Sequence, residues 1–235
     1  MKAKGVVIAI DGPAASGKST AARLVSRALG YHYVDSGAMY RAVTWKAIEE
    51  RVDVTDSAAV IALLHRIRIG FEIVNQEARM LIDGVYPGDA IRDPRVTEKV
   101  SIVAAIPEVR TVLVQQQRSL TGFGSLVMEG RDIGTVVFPE TPHKFYLDAD
   151  PEERARRRQR DLEAMRIQAS QEGVSESLKK RDRLDSGRSA SPLQIAPGAT
   201  VVNNSKLVAE QTAGIILDHI RQREARGGMA RVGPG

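Results

Sequence analysis

Eight consecutive residues near the start of the chain, Gly12-Pro13-Ala14-Ala15-Ser16-Gly17-Lys18-Ser19, fit the spacing G-x-x-x-x-G-K-[ST] without a gap. Glycines at both ends let a backbone curl so that successive N–H groups turn toward phosphate oxygens. The helix that follows adds its positive dipole end. Lys18 can reach the β- and γ-phosphates of a nucleotide as a point charge, and the Ser19 hydroxyl can ligate Mg²⁺. The span Gly12 to Ser19, with Thr20 after it, is therefore expected to hold ATP and its Mg²⁺. The competing reading is a glycine turn with a surface lysine. The flanking sequence argues against that, because the motif lies between a continuously apolar run and an amphipathic segment.

The second chemical resource is arginine. Arg41, Arg131, the run Arg154 to Arg160, and then Arg181, Arg183 and Arg188 each follow an expected strand or occupy a helix beyond one. A guanidinium binds phosphate bidentately and keeps its charge at any working pH. Two phosphorylated substrates brought together need several such groups. On a helix, Arg154, Arg157 and Arg158 share one face, while Arg156 and Arg160 point away from it. A solvated charged helix is the alternative for that segment. The four histidines, His32, His65, His143 and His219, lie outside these motifs and are read as structural or surface residues. A guanine-reading N-K-x-D stretch is absent, which argues against a GTPase. The strand ending at Met128 runs into Glu129-Gly130-Arg131-Asp132 and not into the terminal Asp or Asp-Glu usual in motor ATPases.

These residues need a frame. Gly5 to Ile10 reads as a strand buried on both faces of a parallel sheet. Ala21, Leu24, Val25 and Ala28 recur at helical spacing, and Gly30 sits where a C-capping glycine belongs. Further strands are expected at Tyr31 to Val34, Ser125 to Met128, His143 to Leu147 and Thr200 to Val202. Helices are expected from about Ala38 to Arg51, from Pro94 to Leu120 with a break near Pro107, and through Ala209, Ala213, Ile216, Leu217 and Ile220. Alternating strands and helices predict an α/β fold, a five-stranded parallel sheet with helices on both faces. Ligands in such sheets bind beyond the carboxyl ends of the strands, where the informative loops fall. Arg68 to Val74 and Ala78 to Ile82, with the Asp83-Gly84 turn signal, predict a small β insertion outside that core.

Composition sets limits. The chain has 235 residues, a net charge of +5 and no cysteine, so disulfides and thiolate metal sites are excluded. Aromatics are only 4%, which leaves little for stacking on single-stranded nucleic acid. The apolar run Val6 to Ile10 is too short for a signal h-region or a membrane span. The expectation is a cytoplasmic protein, monomeric, with small-molecule partners and neither nucleic acid nor membrane. The stretch from Arg226 to Gly235 is expected to be disordered.

Taken together, Asp35-Ser36-Gly37-Ala38-Met39-Tyr40-Arg41, Glu129 to Pro139, and Arg181-Asp182-Arg183-Leu184-Asp185-Ser186-Gly187-Arg188 resemble bacterial cytidylate kinases. The β insertion between about Leu63 and Ile106 fits too, and the resemblance runs from Gly5 to about Ile220. It implies a P-loop nucleoside monophosphate kinase fold over residues 1–225. Within it, a nucleotide-accepting region would span about 36–120, with its insertion at 63–106, and a short lid would span about 150–185. It implies transfer of a phosphoryl group from ATP to CMP or dCMP. Ser36, Arg41 and Arg131 would hold the CMP phosphate. Ser101, Arg110 and Asp132 would read the cytosine edge. Arg181, Asp185 and Arg188 would hold the ribose and phosphate side, and Arg154 and Arg158 would meet the transferring group together with Lys18. The loop Asn203-Asn204-Ser205, which borders the adenine in that fold, lacks the acidic residue with which relatives often begin it. Other readings of the same motifs are a kinase for UMP, shikimate or dephospho-coenzyme A, and a non-catalytic nucleotide-binding regulator.

Overall fold

The computed structural model describes residues 5–229. Its elements alternate as the apolar pattern requires: β1 (Val7–Asp11), α1 (Lys18–Leu29), β2 (His32–Asp35), α2 (Ser36–Glu49), α3 (Ser57–Arg66), β3 (Ile69–Val74) and β4 (Glu77–Ile82). A 3-10 turn at Gly88–Arg92 leads into α4 (Pro94–Ala105) and α5 (Pro107–Ser119). Then follow β5 (Leu126–Gly130), a π-helical turn at Ile133–Val137, β6 (His143–Asp148), α6 (Pro151–Ala164), α7 (Gln171–Gly187), β7 (Thr200–Asn203) and α8 (Ala209–Met229).

Every residue of β1 is buried, and it lies between β5 and β6, parallel to both. That placement explains why Val7 to Ile10 is apolar without alternation. Helices α1 and α8 cover one face through Ala21, Ala22, Val25, Ala213, Ile216 and Ile220. Val114, Leu120 and the π-turn residues Ile133 and Val137 cover the other. Gly30 ends α1 in the left-handed region at φ 68°, as its position predicted. Asp35 caps α2, its side chain accepting from the Ala38 N–H, so the helix begins two residues earlier than expected. Pro107 opens α5 at its first turn, which is where the expected break falls. Asp56 caps α3, a helix the sequence reading did not anticipate.

The sheet has seven strands, in the order β3-β4-β2-β5-β1-β6-β7, and not five. Five of them, β2, β5, β1, β6 and β7, form the expected parallel core. The insertion hairpin is part of the same sheet. Strand β4 joins β2 in parallel at Tyr33 and Glu77, and β3 pairs with β4 antiparallel. Left bare, the outer edge of β2 would expose backbone groups, and the hairpin covers it. The tail expectation shifts as well. Helix α8 runs to Met229, past the expected boundary at Arg226, and the remainder of that stretch lies outside the described residues.

Candidate active site

The phosphate-loop segment leaves β1 through Gly12, at φ 150°. A Cβ there would lie 2.1 Å from the Leu147 carbonyl oxygen, so β6 passes too close for any side chain. Ala15 and Gly17 also take positive φ, 57° and 87°, and α1 starts directly afterwards. The Lys18 ammonium folds back across the loop, donating to the Pro13 carbonyl at 2.7 Å and lying 3.4 Å from Ser16 Oγ. Burial, with Arg131 nearby, pushes Lys18 down to about 7. Ser19 and Thr20 stand exposed at the head of α1, on the wall of the cleft.

The loop is braced from outside by side chains that the sequence reading gave no role. Asn204 Nδ2 donates to the Ser16 carbonyl at 2.8 Å, and Arg157 donates to the same oxygen at 3.2 Å and to Asn204 Oδ1 at 3.0 Å. Asp182 accepts from the Ala14 N–H at 3.4 Å and pairs with Arg154. Ala14 packs with Ala155, Val174 and Leu178, so α6 and α7 rest directly on the loop. Arg157 could have been suspected from the face it shares with Arg154 and Arg158. The sequence marks Asn204 only as part of the loop bordering the adenine, not for a hold on the phosphate loop.

On the opposite side, β2 and β5 end next to each other. Ser36 Oγ donates to the Glu129 carbonyl at 2.7 Å, tying the two ends together. Arg41, further along α2, holds Asp35 at 2.6 Å. Arg131 donates through Nε to Asp185 at 2.9 Å, and Arg188 approaches the other Asp185 oxygen at 3.9 Å. Burial works to raise the Asp185 carboxyl, but Arg131, Arg181 and Arg188 together hold it below the usual carboxylate range. Arg110 and Asp132 form an ion pair whose side chains are 4% and 5% exposed. Arg110 also donates to the Ala104 carbonyl at 3.1 Å and lies over the Tyr40 ring, 5.2 Å from its centroid. Only Oδ2 of Asp132 is engaged in a hydrogen bond among the described residues. Ser101 lies half-buried on α4, on the same wall.

One cleft of about 730 Å³ gathers these groups. Lys18, Ser19, Ser36, Arg41, Ser101, Arg110, Arg131, Asp132, Arg158, Arg181, Asp185 and Arg188 all line it. Arg154 does not. Its guanidinium turns away, to the carbonyls of Ala149 and Ala14 and to Asp182. Arg158 lines the cleft with no protein partner among the described residues, and burial, with Arg41 and Arg92 nearby, lowers its pKa. Arg181 is pushed down to about 10 by burial and by Arg131. Arg156 and Arg160 are exposed, on the face of α6 expected for them. No histidine lines the cleft. So many converging cations, several without acidic partners, suit polyanionic ligands and the neutralisation of phosphate charge.

Among the described residues no cluster of three or more Asp, Glu, His or Cys could cage a metal. The Ser19 hydroxyl fits a Mg²⁺ held chiefly by nucleotide phosphates and waters, the usual coordination of that ion at nucleotides.

Comparison with known proteins agrees with this geometry. Residues 8–222 match the family described as cytidylate kinase. A cytidylate kinase from Caldanaerobacter subterraneus subsp. tengcongensis is 42% identical over 217 residues, covering 92% of this chain and 95% of that protein. One from Lactiplantibacillus plantarum is 40% identical over 225 residues, covering 96% and 99%. Among solved structures, a shikimate kinase from Acinetobacter baumannii in complex with shikimate aligns with a TM-score of 0.42 and 16% identity, over 93% of this chain and 94% of that one. With sequence likeness running over nearly its whole length, and with a phosphate loop facing converging arginines, the chain belongs to the cytidylate kinase family of nucleoside monophosphate kinases.

Proposed function

We propose that the protein transfers the γ-phosphoryl group of ATP to CMP and dCMP, with Mg²⁺, giving ADP and CDP or dCDP. The observation that carries this reading is the buried Arg110–Asp132 pair, which lies in the same cleft as Lys18 and leaves one carboxylate oxygen unengaged. That oxygen can accept from the amino group of cytosine but is repelled by the carbonyl that uracil carries in its place. Arg110, with Ser101, completes the base edge. Ser36, Arg41 and Arg131 hold the acceptor phosphate. Arg181, Asp185 and Arg188 hold the ribose and the phosphate side. The division of labour is one kinase domain over residues 1–225, with its acceptor region at about 36–120, the insertion at 63–106 and the lid at about 150–185.

The acceptor oxygen needs no general base, because a phosphate monoester with a second pKa near ~6 is already anionic at neutral pH. The bond formed is between that oxygen and the γ-phosphorus. The bond broken is the one to the β-bridging oxygen, which leaves on ADP with its electron pair. Ser19 would hold Mg²⁺, which would supply neutralisation of charge on the leaving group. Lys18 and Arg158 supply cations to the transferring group, Arg131 ties it to the acceptor, and Arg154 acts from outside the cleft, bracing the phosphate loop through the Ala14 carbonyl and Asp182. Catalysis then rests on alignment and charge, and closing of α6 and α7 over the cleft keeps water out. The enzyme is expected to act as a cytoplasmic monomer on small molecules, without nucleic acid or membrane. No described helix is long and apolar enough to cross a bilayer. The test is ADP formation from ATP with CMP, dCMP, UMP and AMP offered in parallel. CMP and dCMP should be good acceptors and UMP poor. Equal use of UMP would remove Asp132 from the base edge, and preference for AMP would remove the cytidylate assignment.

A further inference from the structure

Asp11 is a buried carboxylate to which the transfer chemistry assigns nothing. It is 2% exposed and stands immediately before Gly12, the first residue of the phosphate loop. Its two oxygens accept from consecutive backbone groups, the Ile133 N–H and the Gly134 N–H, both at 2.8 Å. Those N–H groups open the π-helical turn Ile133–Val137, whose own bonds start further on, with Val136 and Val137 donating to the Asp132 carbonyl. The turn offers its leading N–H groups no acceptor, and Asp11 takes both.

The span between two fixed points is short. Gly130 is held beside Asp11 by the β1–β5 register, and Ile133 and Gly134 are held by the Asp11 side chain. Only Arg131 and Asp132 lie between. These are two of the residues placed here against the acceptor phosphate and base. We infer that Asp11 is a positioning residue of the transfer site: its carboxylate clamps the Arg131–Asp132 segment to the strand that feeds the phosphate loop, and so sets acceptor against donor.

Burial pushes the Asp11 carboxyl up to about 6, although both N–H groups act to lower it. The ionised group is thus less favourable in the fold than in the unfolded chain. Packing around the clamp is close. A Cβ on Gly134 would lie 3.2 Å from Ala196 Cβ, and 3.3 Å from both Asp11 Oδ2 and Lys144 Cδ. The bond pair needs an acceptor at each end, which asparagine lacks: one amide oxygen serves one N–H, and the amide nitrogen meets the other as a second donor.

The inference rests on the phosphoryl-transfer reading, and wild-type turnover of CMP, run alongside, tests that reading by itself. In Asp11→Asn, checked for folding by circular dichroism, kcat with CMP should fall by about tenfold or more, since misplacement of a reacting group by an ångström costs on that scale. The preference for CMP over UMP should narrow by roughly threefold or more, while the Kd for MgATP, from calorimetry, changes by less than about threefold. Gly134→Ala presses on the same turn from the other side and should give the same signature; it decides the matter if Asp11→Asn does not fold. Unchanged kcat and base preference in a folded variant would overturn the inference. So would a MgATP Kd that rises in step with the loss of turnover, because Asp11 would then serve the phosphate loop alone.

Discussion

Removing the Asp132 carboxylate should damage the fold and the base preference together, and the two effects can be separated. In Asp132→Ala, Arg110, 3% exposed in the wild-type structure, loses its acidic partner. Its remaining protein contacts are the Ala104 carbonyl and the Tyr40 ring. An unpaired buried charge of this kind costs about 3–5 kcal/mol. In a chain of this size each kcal/mol lowers the melting temperature by roughly 2–4 °C, so Asp132→Ala should melt about 6–20 °C below wild type. Removing both charges and keeping the volume, as in Arg110→Met with Asp132→Leu, should bring stability back to wild type within about 2 kcal/mol, because apolar replacements of buried pairs are near neutral or better. Activity on CMP should not return with it. The assay is thermal unfolding by circular dichroism for wild type, Asp132→Ala and the double variant, with kcat/KM for CMP and UMP on the same samples. A single variant that melts within about 2 °C of wild type, or a double variant less stable than the single, would refute the buried-pair argument. A double variant that regained CMP preference would refute the base-edge role.

Four further outcomes follow from the same geometry. Lys18 is pushed down to about 7 in the free protein, so bound phosphates should recharge it; MgATP binding should take up close to one proton at about pH 8 and almost none at about pH 6, read by calorimetry in buffers of different ionisation enthalpy, and uptake equal at both would remove Lys18 from the phosphates. Arg158→Ala should lower kcat by about tenfold or more at unchanged melting temperature, because Arg158 has no protein partner among the described residues. Arg154→Ala should lower both, because Asp182 and the Ala14 carbonyl lose a donor; Arg156→Ala and Arg160→Ala should stay within about twofold, and similar mild effects at all four would return α6 to a solvated charged face. Gly12→Ala should not yield folded protein in the soluble fraction, since its Cβ would meet the Leu147 carbonyl at 2.1 Å; a variant that binds MgATP normally would contradict the strand packing.

Local signals carried the reading a long way. The phosphate loop and the capping Gly30 are dictated by backbone conformations that few residues accept, so the letters announce them. The burial of β1 shows as an unbroken apolar run because α1 and α8 cover one face of it and α5 and the π-helical turn cover the other. What stayed hidden is what depends on distant partners. Asp11 meets residues more than a hundred positions away, as Ala14 does Asp182, and neither aspartate differs by type from the many that cap turns. The hairpin's attachment to β2 rests on a single aligned pair, Tyr33 and Glu77, too small a signature to read from spacing. Arg154 was placed on the correct helix face, yet the structure turns its head toward Asp182, because an ion pair within reach outweighs the direction of the Cα–Cβ bond.

The central place of β1 also bears on how the molecule is made. Its two partners are β5 and β6, and the first of them begins at Leu126, roughly 120 residues behind Val7 on the ribosome. At common elongation rates that gap lasts about 6–25 s, during which the most apolar strand of the chain has left the ribosome and has neither neighbour to pair with. The donor half of the cleft is complete only after His143 to Asp148 has been synthesised, since β6 closes the second edge of β1 and its Leu147 carbonyl packs against Gly12.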